Sequence, residues 1–179
     1  MSEARITPGG RREVGALTWV VSRIGGKVAG TAPLNLFLTL GRHRKLFRRW
    51  LWFAGGLMPG GKLPRRESEL VILRVANLRS CRYELEHHLR LGRKAGLSDA
   101  ELERVAVGSA ADGWQPRERA LLAAVEMLHE RGDLDDATWS ELRSHLTERE
   151  TIELCMLAGH YEMLATTIAA LRIEPDGRR

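Results

Sequence analysis

Apolar residues recur every three or four positions along most of this chain, which is the spacing of one face of an amphipathic helix. No run shows the apolar–polar alternation, rich in Val, Ile and Thr, that is typical of a strand. The pattern therefore predicts an all-α fold. The predicted helices cover about residues 13–25, 34–55, 66–79, 81–95, 99–108, 116–131, 135–145 and 149–171.

Helix-terminating residues fall between these segments. Gly96 stands where a C-terminal glycine cap belongs, and Ser98 with Glu101 forms a capping box for the next helix. No linker divides the chain, so we predict a flexible arm over residues 1–12 and one helical domain over residues 13–175.

The beginnings of two predicted helices resemble each other weakly. Leu63-Pro-Arg-Arg-Glu-Ser-Glu-Leu is echoed by Leu146-Thr-Glu-Arg-Glu-Thr-Ile-Glu-Leu, with one insertion. Amphipathic helices also resemble one another by chance, so a weak internal duplication stays open.

Composition narrows the class of protein. The chain is 44% hydrophobic, which is enough for a core and excludes a wholly disordered chain. No stretch approaches the roughly 20 uninterrupted apolar residues of a membrane span. Only two cysteines, Cys81 and Cys155, are present and they lie far apart, so we expect a cytoplasmic protein with free thiols.

The formal charge of +5 is concentrated locally. Residues 41–49 hold five of the basic side chains, a pattern compatible with a nucleic-acid or anionic-membrane patch. Apolar residues at helical spacing surround them, however, and no nucleic-acid-binding motif accompanies them. We therefore expect a solvated helix face, with neither a nucleic acid nor a membrane as partner.

Several ionisable residues fall on apolar helix faces, where a charge is costly unless it is paired or functional. In the helix over 81–95, Cys81, Glu84 and His88 share the apolar side, and His87 lies toward its boundary. Cys81 comes first in this helix, where the helix dipole favours a thiolate. An acid, an imidazole and a thiol are thus predicted to converge.

Two other helices also point ionisable groups inward. Glu69 lies among Ile72, Leu73 and Ala76, so a carboxylate is directed into the core. Glu153 and His160 share the apolar face of the last helix, where we favour a satisfied core ion pair.

The spacing Glu69-x11-Cys81-x2-Glu84-x3-His88 resembles the E-x11-C-x2-C-x3-H signature of the AhpD-like alkylhydroperoxidases. It resembles more closely the carboxymuconolactone decarboxylase-like family, whose helix often reads Cys-x-Tyr-Glu-x-x-x-His. Here that motif is Cys81-Arg-Tyr83-Glu84-Leu-Glu-His-His88. The similarity spans about residues 33–172 and includes Gly159-His160-Tyr-Glu-Met-Leu in the last helix.

The resemblance implies an AhpD-like helical bundle, assembled as a homo-oligomer, a trimer or hexamer. It also implies a glutamate–histidine proton relay, which assigns catalytic roles to Glu69, Cys81, Glu84 and His88. Tyr83, His87 and His160 would bind substrate or support them. Glu84 occupies the position of the second cysteine, so the two-cysteine disulfide chemistry of the peroxidase branch cannot occur between these positions.

Three functions follow. The first is decarboxylase-like acid–base chemistry on a small carboxylated or lactone-like molecule, with Glu69 orienting His88 through a hydrogen bond, direct or through one water. The second is a one-cysteine peroxidase, with peroxiredoxin activity, in which an external thiol resolves oxidised Cys81. The third is a di-iron site built on Glu84-x-x-His87 and Glu126-x-x-His129, with Glu69 as a further ligand. Helical phase disfavours the third function, so no metal is predicted, and no phosphate loop or nucleotide-binding motif indicates another cofactor. A non-catalytic or regulatory assembly is a further possibility.

Overall fold

The computed structural model describes residues 3–177, and within them it contains helices and no β-strand. The predicted all-α fold is confirmed. The helices are α1 (Arg11–Val14), α2 (Ala16–Ala29), α3 (Asn35–Leu40), α4 (Arg44–Leu57), α5 (Arg65–Leu78), α6 (Arg82–Lys94), α7 (Asp99–Val107), α8 (Pro116–Arg131), α9 (Asp136–His145) and α10 (Glu148–Leu171).

The prediction of a single helix over residues 34–55 is wrong, because the helical structure is interrupted between α3 and α4. Gly41 packs so closely on α2 that a Cβ atom there would lie 2.5 Å from Thr18 Cγ2. His43 then caps α4, since its side chain accepts a hydrogen bond from the Leu46 N–H. Close packing and a new cap thus divide one apolar pattern into two helices.

The described residues form two compact units. One contains residues 3–58 and 166–177, and the other contains residues 59–165. In the first unit Arg5 N–H donates to the Leu171 carbonyl and Gly9 N–H donates to the Leu38 carbonyl, both at 3.1 Å. The predicted arm over 1–12 and single domain over 13–175 stay predictions, and residues 1 and 2 of that arm lie outside the described part.

The basic stretch 41–49 lies mainly on α4, in the first unit. Phe47 is buried there and contacts Phe37 edge-on, with ring centroids 5.5 Å apart. Arg44, Arg48 and the other basic side chains of α4 are exposed, as expected for a solvated helix face.

The second unit is built around α5, which packs against α6, α7 and α8. The side chains of Leu70, Val71, Ile72 and Leu73 on α5 are completely buried. This burial on all sides explains why the apolar pattern of α5 extends nearly all round the helix.

Ion pairs fix the N-terminal end of α5 within this unit. Arg117 on α8 binds Glu67 at 2.9 Å and Glu150 at 2.7 Å, and Arg66 on α5 binds Glu101 on α7. Because these pairs involve four helices, they restrict how α5 can shift or rotate against its neighbours.

Helix α10 is long and apolar enough to cross a membrane by length and composition alone. In its most apolar window, 44% of the residues are buried inside the structure. Core helices of globular proteins pass the same test, so this property is weak support for a membrane span.

Candidate active site

A tight turn joins α5 to α6 and positions the predicted site residues. Helix α5 ends at Leu78 with Arg79 as its C-cap, Ser80 adopts the left-handed region with φ 48°, and Cys81 is the N-cap of α6. The Cys81 N–H donates to the Ala76 carbonyl at 2.8 Å, which closes the turn. The two helices therefore form a hairpin that brings their inward-facing polar residues together.

Glu69 on α5 and His88 on α6 meet across this hairpin. Glu69 Oε2 lies 2.7 Å from His88 Nδ1, and both side chains are buried. The predicted hydrogen bond between them, direct or through one water, is thus confirmed, and it is direct. Because a carboxylate only accepts, the His88 Nδ1 atom carries the proton.

The other nitrogen of His88 faces two oxygen atoms. Glu84 Oε2 and the Tyr161 hydroxyl each lie 3.3 Å from Nε2. Glu84 lies one helical turn before His88 on α6, and Tyr161 belongs to α10. The imidazole is therefore held at Nδ1 and retains a second polar environment at Nε2.

The surroundings of His88 favour its charged form. Burial alone would lower its pKa, but hydrogen bonds to Glu69 and Glu84, together with their charges, outweigh burial and raise the pKa to about 9. Burial, and then the charges of Glu84 and Glu69, raise the pKa of Tyr161 well above its usual value. At neutral pH the site therefore contains an imidazolium and a neutral phenol.

A third charged residue completes the surroundings of Glu69. Arg65, one turn earlier on α5, forms an ion pair with Glu69 Oε1. Glu69 is thus engaged at both oxygens, whereas Glu84 is engaged at one: its Oε1 is buried and accepts no hydrogen bond within the described part of the chain.

Cys81 lies beside this cluster but is not activated as a thiolate. Burial raises the pKa of the thiol, the Glu84 carboxylate raises it further, and the backbone N–H groups of Glu84 and Tyr83 only partly oppose this. The helix N-terminus does lower the pKa, as expected, but burial and the negative charge of Glu84 outweigh it, so the thiol stays protonated. Both cysteines are free thiols.

The predicted supporting residues fall into two places. Tyr83 and His87 are buried and stack on each other, with ring centroids 4.9 Å apart. His160 contacts the Tyr161 ring edge-on at 5.4 Å, and burial lowers its pKa while the Glu84 charge acts in the opposite direction. His160 thus lies at the edge of the cluster as a neutral imidazole at neutral pH.

Other candidates have structural partners. Glu153 accepts hydrogen bonds from the backbone N–H groups of Lys62 and Leu63, so it stabilises the segment before α5 and the expected core ion pair is not its role. Glu126 binds Arg74 at 2.8 Å. No group of three or more His, Cys, Asp or Glu side chains that could hold a metal ion occurs between residues 3 and 177.

A cavity of about 340 Å³ lies elsewhere in the second unit, next to Cys155. Its polar wall is the pair of His129 and Glu162, whose Nδ1 and Oε1 atoms are 2.6 Å apart. None of its lining residues belongs to the Glu69–His88 cluster.

Sequence reasoning missed Tyr161 and Arg65. Tyr161 lies on the buried stripe of α10 with Leu157 and Leu164, and a phenol on such a stripe usually has a polar partner. Arg65 is four residues before Glu69, the spacing of a helical ion pair. Both signals were present in the sequence.

Residues 44–127 match the model of the carboxymuconolactone decarboxylase family. The resemblance of the chain to this family, predicted from its motif, is thus confirmed over this segment. The matched segment contains α5 and α6, and hence Glu69, Cys81, Glu84 and His88, but ends before Tyr161. No curated protein sequence matches the chain.

Solved structures share the fold of this chain. An uncharacterized peroxidase-related protein of Ralstonia eutropha JMP134, with an alkylhydroperoxidase AhpD core, aligns with a TM-score of 0.82 and 20% identity over 96% of this chain and 93% of that chain. An uncharacterized peroxidase-related protein of Silicibacter sp. TM1040 aligns with a TM-score of 0.82 and 16% identity over 98% of this chain and 95% of that chain. The debrominase Bmp8 aligns with a TM-score of 0.79 and 18% identity over 96% of this chain and 91% of that chain. At these identities the likeness establishes the fold alone.

Proposed function

We propose that this chain is a carboxymuconolactone decarboxylase-like enzyme that transfers protons through His88 to a small lactone-like or carboxylated substrate. The observation that carries the proposal is the position of His88. Its Nδ1 is fixed by Glu69 at 2.7 Å, and its Nε2 faces Glu84 and Tyr161 at 3.3 Å.

This arrangement suits general acid–base chemistry. Glu69 and Glu84 stabilise the imidazolium, so His88 holds a transferable proton at neutral pH. When the bond to the substrate carboxylate breaks, carbon dioxide leaves and the electron pair stays on the substrate as an enolate. His88 Nε2 donates its proton to the enolate carbon and becomes a neutral imidazole, whose Nδ1–H still binds Glu69. Nε2 then takes up a proton from water before the next cycle.

The second candidate is a one-cysteine peroxidase that uses Cys81 and an external thiol. It is favoured by the position of Cys81 as the N-cap of α6, where the backbone N–H groups of Tyr83 and Glu84 lower the pKa of the thiol. A cysteine-to-alanine variant of the debrominase Bmp8 has been solved in complex with 2,3,4-tribromopyrrole, so a cysteine in this fold is worth testing. The raised pKa of the Cys81 thiol weighs against it, because the thiolate is the reactive species.

Two substitutions separate the candidates. Turnover of 4-carboxymuconolactone and thiol-dependent consumption of cumene hydroperoxide should be measured for Cys81→Ser and His88→Gln. Proton transfer predicts that Cys81→Ser keeps most of the lactone activity, while His88→Gln loses roughly 100-fold or more. Two results together would contradict the proposal in favour of the peroxidase. Cys81→Ser would abolish peroxide consumption, and neither the wild-type chain nor any variant would turn over the lactone.

We also propose a cytoplasmic homo-oligomer, a trimer or hexamer. Support comes from an exposed apolar stripe on α2, formed by Leu17, Val20, Ile24 and Val28, which is costly to leave in water. Two free cysteines fit a reducing compartment.

A further inference from the structure

Glu84 Oε1 is a buried polar atom of the site whose hydrogen bonding is incomplete. The Glu84 side chain is only 5% exposed, and its Oε2 faces His88 Nε2 at 3.3 Å. Its Oε1 atom is buried and accepts no hydrogen bond from any residue between 3 and 177. A buried carboxylate oxygen without a donor costs free energy, so the site is arranged to receive one.

The charges around Glu84 restrict what can supply that donor. Arg65 forms an ion pair with Glu69, and His88 lies between the two carboxylates. The two cationic groups are therefore balanced by Glu69 and Glu84. An anionic group placed against Glu84 would add an uncompensated negative charge in a buried site, which is strongly unfavourable.

The remaining neighbours are uncharged and largely aromatic. The Tyr161 ring packs edge-on against His88, with centroids 5.2 Å apart, and against His160 at 5.4 Å. Both rings lie close enough to Glu84 for its charge to affect their pKa values, so aromatic groups border the carboxylate acceptor. Such a surface suits a small planar molecule with a polar edge.

From this geometry we infer that Glu84 Oε1 binds a neutral O–H or N–H donor of a small planar ligand, and that the site rejects a carboxylate at this position. The inference rests on the proposed function for the location of the site. It narrows the substrate class to lactone-like or enolic molecules in which a neutral hydroxyl or ring N–H contacts Glu84, while any carboxylate of the same molecule lies away from Glu84.

Binding of three matched aromatic probes tests this inference without any turnover. Phenol supplies an O–H donor, anisole has the same ring without the donor, and benzoate has an anionic group. Dissociation constants should be measured for the full chain by ligand-observed NMR at pH 7. We expect phenol to bind roughly tenfold or more tightly than either anisole or benzoate, the range expected for a hydrogen bond to a charged acceptor.

Substitutions then assign the contact. Glu84→Gln should reduce the preference for phenol over benzoate at least tenfold. Glu86→Gln is the matched control, because Glu86 lies on the same helix but pairs with Arg82 at the surface. It should leave the preference unchanged.

The wild-type ranking decides the ligand class even where Glu84→Gln fails to fold. Equal binding of phenol and anisole, preferred binding of benzoate, or no binding of any probe would overturn the inference. A phenol preference that persists in folded Glu84→Gln would overturn the assignment to Glu84. Because no activity is measured, a chain that binds phenol as expected but turns over no lactone would contradict the proposed function alone.

Discussion

Glu69 Oε2 and His88 Nδ1 lie 2.7 Å apart across the α5–α6 hairpin, in a position from which water is almost excluded. The contact decides which nitrogen of the imidazole carries its proton and which nitrogen faces Glu84 and Tyr161. Arg65, bound to the other oxygen of Glu69, offsets part of the cost of burying the carboxylate.

Replacing Glu69 by Gln tests this relationship. The amide keeps the shape but removes the charge, so the chain should fold while the pKa of His88 falls by at least one unit and turnover drops tenfold or more. The pKa can be followed by NMR of the imidazole protons. Glu67→Gln is the control on the same helix, because Glu67 binds Arg117, and it should leave the His88 titration in place. An unchanged His88 pKa in Glu69→Gln would rule out the relay.

Stability should depend on the protonation of His88. Its pKa is raised from 6.5 to about 9 in the folded chain, so protonation stabilises the fold fully below pH 6.5, and this stabilisation is lost as the pH rises through about 9. The loss should be about 3 kcal/mol between pH 6 and pH 10, measured by urea unfolding.

This decrease should be absent in His88→Gln and present in His145→Gln, which removes only a partly exposed histidine that pairs with Glu141. Turnover should also fall above pH 9, where His88 loses its proton. A decrease of the same size in His88→Gln would assign the pH dependence to other groups.

Tyr161→Phe tests the hydroxyl that faces His88 Nε2. Removing it deletes a buried hydrogen-bond partner, so the free energy of unfolding should fall by about 1 kcal/mol and the pH profile of turnover should shift. The chain has only two tyrosines, so Tyr83→Phe is a natural control that should leave the pH profile of turnover in place.

In Tyr83→Phe, the titration of tyrosine absorbance reports Tyr161 alone, and it should begin only at strongly alkaline pH. Identical pH profiles in both variants would remove Tyr161 from the site.

Ser80 adopts a left-handed backbone conformation at the turn before Cys81, and its side chain is exposed. Ser80→Gly should therefore leave stability unchanged or raise it by up to about 1 kcal/mol, while Ser80→Val should lower it by more than 1 kcal/mol. Ser140→Gly, in the middle of α9 and exposed, should lower stability by about 0.5–1 kcal/mol. Thermal melting of the three variants measures whether each substitution raises or lowers stability. A lower melting temperature for Ser80→Gly than for the wild-type chain would contradict backbone strain at this turn.

The proposed assembly can be measured by light scattering at micromolar concentration. We expect a mass three or six times the 20.1 kDa of one chain. Ile24→Glu, in the exposed apolar stripe of α2, should weaken the assembly, while Val107→Glu, exposed on α7, should not. A monomeric mass for the wild-type chain would end the proposal.

Helical spacing in the sequence was enough to predict the all-α fold and most helix boundaries. It also directed Glu69, Glu84 and His88 inward, because a period of 3.6 residues decides which side chains share a face. Helical spacing did not predict the break between α3 and α4, because this break depends on Gly41 packing against Thr18. Such contacts join residues far apart in the chain, so local periodicity does not contain them.

The sequence by itself determined the helices, the family motif and which ionisable residues could not face water. The tertiary structure decided how these residues are paired. Tyr161 reaches His88 from a helix that begins sixty residues after it, and burial makes Cys81 a neutral thiol despite its place at a helix N-terminus. Partners, burial and the charges of neighbouring helices set the protonation of a side chain, and these exist only once the helices have packed.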